Sequence, residues 1–356
     1  MKLTATIALL LLNLSLLFSQ QSPVKDVTYP GSTWDKIANP YQSDWDSLKL
    51  STLRKYIIDS THATGIVVVW RGKILLEYGD IEELSYLASA RKSLLAMLYG
   101  PYVDKGTINL STTLAQLKFD DRGGLLPIEK KATIKDIITA RSGIYHPASN
   151  SGDESAIAPQ RGTKEPGSFY LYNNWDFNAA GAIFEQQTGM KIFDAMDSIL
   201  AKPLEMQDWK RSEQKMLGDT TRSTHLAYHT WLSTRDMARI GYLMLRQGRW
   251  KNQQILSQAW VKQITTAVTS YAEYASFRNR PYAKCGYGYM WWVWDAPHNT
   301  GAYEGAYTAA GAYGQYITVL PKLDLVVAHK TKSMYERNTA MPTYQRLLDL
   351  LIASKK

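Results

Sequence analysis

Ser89, Ala90, Arg91 and Lys92 set a hydroxyl and an amine three residues apart. On a helix that spacing makes them neighbours, with Cβ atoms about 5–6 Å apart. An amine so placed can take the serine proton once burial has lowered its own pKa, and the oxygen becomes a nucleophile. A serine at a helix start also meets the positive end of the helix dipole and free backbone N–H groups, which would hold a developing oxyanion. The same spacing recurs at Ser22 and Ser212. Ser22 sits beside an apolar leader and Ser212 in a polar stretch with no apolar helix behind it, so Ser89 is the candidate. Serine is also a favoured N-cap, and on this motif alone an ordinary cap remains an equal reading.

Among 23 tyrosines only one begins a Tyr-x-Asn, Tyr172-Asn173-Asn174. A phenol held near cations can have a lowered pKa and pass protons to a leaving group. The amide of Asn174 can hold the lysine and a substrate carbonyl. The structural alternative is a tyrosine packed in an aromatic loop, with Asn174 capping the next helix. A third stretch, Ala309-Ala310-Gly311-Ala312-Tyr313-Gly314-Gln315, leads into a strand. Its small residues let a substrate lie along the strand edge, where a backbone N–H can act as second oxyanion donor.

Other constellations carry less. His225 and His229 have a helical i, i+4 spacing suited to zinc, but no glutamate stands between them as in His-Glu-x-x-His and no third ligand is evident. No metal or organic cofactor is expected. Cys285, the single cysteine, can form no internal disulfide and reads as a small core or strand residue. Trp175, Trp291, Trp292, Trp294 and Tyr313 might be thought to line a cleft; strand aromatics are more often core. No Gly-x-Ser-x-Gly elbow, Walker loop or Gly-x-Gly-x-x-Gly is present.

The elements that must position these residues are legible in outline. Residues 65–70 and 73–78 read as two strands joined by Arg71-Gly72. An apolar helix should follow from Ser89, with Pro101 just beyond its end. Residues 133–140, 176–187 and 234–247 show amphipathic helical patterns stopped by Gly143, Gly189 and Gly248. Strands return at 286–294, 315–320 and 324–328, and a last helix covers roughly 343–352. Strands at both ends around a helical middle imply an α+β fold: one antiparallel sheet flanked by helices, with a helical subdomain inserted. The expected division is a leader at 1–20, an extension at 21–54, and one domain at 55–356. Within that domain the sheet comes from about 55–100 and 285–356, and the helical block from about 101–284.

The leader carries Lys2 and an apolar run from Ile7 to Phe18, too short to be a comfortable membrane anchor and suited to a signal peptide cleaved near Ser19 or Gln20. The alternative is an uncleaved tether; no cysteine follows the run to take a lipid. Periplasmic or secreted localisation is expected, with no stable membrane insertion after cleavage. The net charge of +9 comes from scattered basic residues that never form a run of four, so a solvated surface is expected and no nucleic-acid partner.

Together, Ser89-x-x-Lys92, Tyr172-x-Asn174 and the Gly311-bearing strand resemble, in that order, the serine β-lactamase and penicillin-binding-protein family. The likeness is to its class C-like branch, which also holds esterases and 6-aminohexanoate-dimer-hydrolase-like amidases. Residues 133–143, Pro166-Gly167, 181–189 and 233–239 are similar to the family as well. The resemblance implies a β-lactamase/transpeptidase-like fold, Ser89 as acylated nucleophile, Lys92 and Tyr172 as acid/base pair, and Asn174 as ligand of substrate and lysine. It also implies an oxyanion hole from the N–H groups of Ser89 and Ala312 beside Gly311. The family's third motif often begins with lysine or histidine, and Ala309 holds that place here; Lys330-Thr331-Lys332 comes a strand too late and lacks the glycine. Losing the cation removes the partner of a substrate carboxylate. The expectation is therefore an exported hydrolase of esters or amides in small molecules or short peptides. The alternatives are a true β-lactamase or D,D-peptidase, or a non-catalytic envelope protein of the same fold.

Overall fold

The computed structural model describes residues 27–39, 44–276 and 284–356. The expected leader, the Ser22 motif and part of the 21–54 extension lie outside the described residues. Two β-branched runs form the expected hairpin, β1 (Gly65–Trp70) and β2 (Lys73–Gly79). Its turn places Arg71 and Gly72 at φ 50° and 81°, the paired left-handed geometry that two-residue hairpins prefer. All six residues of β1 are buried, so the strand is covered on both faces.

The remaining strands of the sheet come from the far end of the chain. They are β3 (Cys285–Tyr287), β4 (Trp292–Trp294), β5 (Tyr307–Gly311), β6 (Gln315–Leu320) and β7 (Leu325–Lys330). The order is β2-β1-β7-β6-β5-β4-β3, antiparallel throughout. β1 runs beside β7 from Gly65 opposite Lys330 to Trp70 opposite Leu325. The expected α+β architecture, one antiparallel sheet built from two distant segments, is the one observed.

The long helices are α1 (Ser47–Ser60), α2 (Arg91–Asp104), α3 (Asn174–Thr188), α4 (Thr234–Leu245) and α5 (Met341–Ala353). α5 covers one sheet face: the Tyr344 ring stacks on Tyr316 at 4.2 Å and its hydroxyl donates to Thr318 Oγ1 at 2.7 Å. α1 is tied to α5 through the Tyr56 hydroxyl and the Thr343 carbonyl. α4 lies on the opposite face. A Cβ on Gly241 would stand 2.4 Å from Val326 Cγ1 and 2.8 Å from Ile317 Cγ2, so the helix backbone rests directly on β6 and β7. Sequence placed this helix among the inserted ones, because an amphipathic stripe says that one face is buried but not against what.

α2 is the central helix, with Arg91 through Gly100 all buried. Pro101 does not end it; the helix continues to Asp104. Proline leaves a backbone acceptor in the preceding turn without its helical donor, and that turn is braced from outside. Trp260 Nε1 donates to the Ala96 carbonyl at 2.9 Å, and Gly100 leaves room for the indole. α3 is capped by Asn173, whose side chain accepts from Trp175 N, and ends at Gly189 with φ 68°. Asn174 is thus the first helical residue, not the cap, and its amide is available for other work. The segment between the two parts of the sheet also holds small two-stranded antiparallel pairs, Ser85–Tyr86 with Trp231–Leu232 and Lys215–Leu217 with Ala227–His229. Among the described residues no helix is long and apolar enough to cross a membrane.

Candidate active site

Ser89 lies in a single 3-10 turn, Ala88–Ala90, and α2 begins only at Arg91. The tighter turn keeps residues three apart nearly eclipsed. Lys92 Nζ reaches Ser89 Oγ at 3.3 Å, Tyr172 Oη at 2.7 Å and Asn174 Oδ1 at 2.7 Å. Three residues from two distant parts of the sequence therefore meet on one amine. Lys92 is 1% exposed, and the rings of Tyr172 and Phe177 close over its Nζ at 4.2 and 4.1 Å. Burial, reinforced by the charge of Arg91 and opposed by Asp153, holds the Lys92 pKa well below the usual lysine value. A lowered pKa of this kind is what a base for Ser89 would need.

Tyr172 departs from expectation. Burial raises its pKa, outweighing the Ser89 hydrogen bond and the Arg91 charge that pull it down. The phenol therefore keeps its proton near neutrality, a state suited to relaying protons and not to serving as a resting base.

A loop at residues 150–155 fixes the Tyr-x-Asn segment. Asn174 Nδ2 donates to the Ser151 carbonyl at 2.8 Å, which orients the amide oxygen toward Lys92, and Asn174 N donates to Asp153 Oδ2 at 2.9 Å. The Glu154 carboxylate accepts from Tyr172 N at 3.2 Å and from the Tyr274 hydroxyl at 3.2 Å, while Glu154 N donates to the Tyr172 carbonyl. The Tyr172 ring is stacked on Trp292, centroids 5.8 Å apart. Sequence reasoning missed Asp153, Glu154 and Tyr274, which stand in polar or irregular stretches with no spacing to mark them. Of the aromatic cluster only Trp292 lines the cleft. Trp291 packs edge-on against Tyr307, Trp294 stacks on Tyr303, and Trp175 donates to Asp121.

The end of β5 supplies the facing wall. A Cβ on Gly311 would lie 2.6 Å from the Leu87 carbonyl oxygen and 3.0 Å from both Ser89 N and Ala90 N. Only glycine lets the strand press this closely on the Ser89 turn. The resulting cleft of about 240 Å³ is lined by Ser89, Tyr172, Trp292 and Tyr274, by 152–154, and by 310–312, which include Gly311 and Ala312. No lysine, arginine or histidine is among those lining residues, and Asp153 and Glu154 are. Ala309 is wholly buried.

The other candidates lie elsewhere. Lys330 is buried at the end of β7, its Nζ donating to the carbonyls of Ser85 and Leu232, and burial pushes its pKa down to about 7. Ser212 sits in an exposed 3-10 turn and Lys215 in a strand, so they share no helix. His225 and His229 flank and end a short strand, not a helix. His225 Nε2 contacts the Asp120 carbonyl, and His229 stacks on Tyr86. Among the described residues no group of three or more potential ligands gathers for a metal. Cys285 is a buried free thiol in β3.

Comparison with known proteins agrees with this architecture. No curated protein matches by sequence. Among solved structures, a Bacillus anthracis protein assigned as a 6-aminohexanoate-dimer hydrolase superposes with a TM-score of 0.62 at 20% identity, covering 85% of this chain and 80% of that one. A Bacteroides dorei DSM 17855 protein assigned as a β-lactamase gives 0.64 at 18% identity, covering 87% and 99%. EstCE1, described as a hydrolase with promiscuous acyltransferase activity, gives 0.62 at 15%, covering 86% and 98%. At these identities the likeness is one of fold. The family model described as Beta-lactamase matches residues 64–350, from the first strand of the sheet to the last helix, and the chain belongs to that family.

Proposed function

We propose that the chain is an exported serine hydrolase that cleaves an ester or amide through an acyl-enzyme on Ser89. The observation that carries this reading is the buried Lys92 amine, in contact with Ser89 Oγ, Tyr172 Oη and Asn174 Oδ1 at once. Lys92, as free amine, takes the Ser89 proton while Oγ attacks the substrate carbonyl carbon. The tetrahedral oxyanion is held by the N–H groups of Ser89 and Ala312. The proton then passes from Lys92 through the Tyr172 hydroxyl to the leaving group, whose bond to carbon breaks and leaves an ester on Ser89. Water attacks that ester and gives its proton back along the same path, which frees Ser89 and the acid.

Ester or amide hydrolysis is favoured over β-lactam or peptide C-terminus recognition by the cleft's charge. A substrate carboxylate would face Asp153 and Glu154, with no cation among the described lining residues to pair with it. Export rests on the apolar run of residues 7–18, and N-terminal sequencing of protein recovered from cells reads it directly.

The central test is labelling with a fluorophosphonate, followed by turnover of short p-nitrophenyl esters against a chromogenic cephalosporin. An adduct on Ser89 and turnover of the esters are expected. An intact, folded protein without the adduct would leave a non-catalytic protein of the same fold. Faster turnover of the cephalosporin would make the chain a β-lactamase.

A further inference from the structure

Arg91, between the two motif residues, has no part in the scheme above and is the least comfortable side chain near the site. It is 2% exposed. Its Nη1 donates to the Ala88 carbonyl at 2.9 Å, while Nε and Nη2 have no hydrogen-bond partner among the described residues. No carboxylate pairs with it there. The guanidinium lies 5.3 Å over the Tyr228 ring, a contact far weaker than the hydration it has given up. A buried, unpaired charge is costly, and an apolar residue of similar size would be the more stable choice.

What the guanidinium does touch is informative. Ala88 has φ 49°, a left-handed conformation that a residue with a Cβ adopts at a cost, and it directly precedes the nucleophile. Its carbonyl accepts both the Arg91 backbone N–H and Nη1. Leu87, one residue earlier, is pinned through its N–H to the Thr230 carbonyl, and Gly311 presses on the other side of the turn. We propose that Arg91 is a positioning residue: it ties the Ala88 carbonyl from behind, holds the left-handed turn that presents Ser89, and sets a fixed positive charge behind Lys92. This rests on the acyl-enzyme reading of Ser89.

The charge has few competitors. Tyr86, Tyr228 and His229 face Arg91 from the small two-stranded pairs. Burial raises the two phenols, and it lowers the imidazole to about 4 with the help of Arg91, so all three are neutral at neutral pH. Tyr172, packed against Lys92, is also neutral, and Asp153 is the opposing charge. Arg91 is therefore the side chain that burial works alongside in holding the Lys92 pKa down.

The experiment is the pH dependence of the rate at which fluorophosphonate labels Ser89, in wild type, Arg91→Met and Arg91→Lys, with melting temperatures beside it. In Arg91→Met the rate should fall about tenfold or more. Its acidic limb should move up by about one pH unit, the low end of what one nearby charge does. The melting temperature should hold or rise, since an unpaired buried charge has been removed. Arg91→Lys keeps the charge without the fork geometry, so the rate should fall while the limb stays in place. A folded Arg91→Met with the wild-type limb overturns the role of the charge. An Arg91→Lys protein labelled at the wild-type rate overturns the positioning of the turn, and this variant decides alone if Arg91→Met does not fold. Wild type that takes no label fails differently: it removes the acyl-enzyme reading, and the role of Arg91 with it.

Discussion

Among the described residues two lysines are buried with no carboxylate within ion-pair distance of Nζ, Lys92 beside the cleft and Lys330 at the end of β7, and burial lowers both pKa values. Their partners differ. Lys92 meets two hydroxyls and an amide oxygen, whereas Lys330 meets two backbone carbonyls. A hydroxyl can give or take a proton; a carbonyl only accepts a hydrogen bond. A depressed lysine pKa therefore marks a desolvated amine in both places, and in the proposed mechanism it is the proton-bearing neighbours that set Lys92 apart. Lys330 joins the Ser85 and Leu232 segments to the sheet, and its work is structural.

The contrast is broken most directly by exchanging each amine for a thioether of similar length. Lys92→Met should lose about a thousandfold or more in ester turnover and Ser89 labelling while still melting cooperatively. Lys330→Met should stay within a few-fold of wild type. Equal losses in the two would mean that the difference in partners is irrelevant. Tyr172→Phe removes one proton-bearing neighbour of Lys92 and should cost about a hundredfold in turnover; unchanged turnover would take that phenol out of the relay. A fourth variant leaves both lysines and their hydrogen-bond partners in place and changes only the strand. Gly311→Val drives a side chain into the Leu87 carbonyl and the Ser89 backbone, and labelling should slow about tenfold or more.

The smallest effect is one of stability against pH. The unfolded chain keeps the Lys330 proton up to about pH 10.5, and the folded chain releases it near 7. Between those values the unfolded state binds more protons, so stability rises with pH. Lys92 contributes in the same direction, its folded pKa being lowered too. Wild type should gain about a few degrees in melting temperature from pH 7 toward about 8.5, below the range in which the tyrosines of the unfolded chain ionise, and Lys330→Met should flatten part of that rise. An identical slope in both proteins would remove Lys330 as its source.

What sequence could reveal follows from range. The hairpin of β1 and β2, the Ser89-x-x-Lys92 spacing and the stop at Gly189 are local facts, set by turn chemistry and helical period, and they stand in the structure where expected. The small residue required at Gly311 was visible as a type, though its reason, contact with Leu87 and Ser89 across the fold, was not. Asp153, Glu154 and Tyr274 were invisible because their task is to grip Tyr172 and Asn174, and nothing local records a grip. The phenol of Tyr172 was misjudged because nearby cations could be imagined from sequence but its burial could not. Pro101 was misread for a related reason: the Trp260 brace that accompanies a proline inside α2 comes from a distant helix.

The strand order also governs how this protein comes into being. β1 and β2 are made before β7, the neighbour that holds them in the sheet. Ser89 and Lys92 likewise exist long before β5 arrives to face them. Until then the serine has no opposing wall, and the hairpin offers an open strand edge to any other chain. Contacts this distant are slow to form, and exposed edges and apolar surface favour aggregation until they do. The cleft therefore takes shape only once β5 has been made and has packed on the Ser89 turn, so its assembly depends on the second half of the sheet.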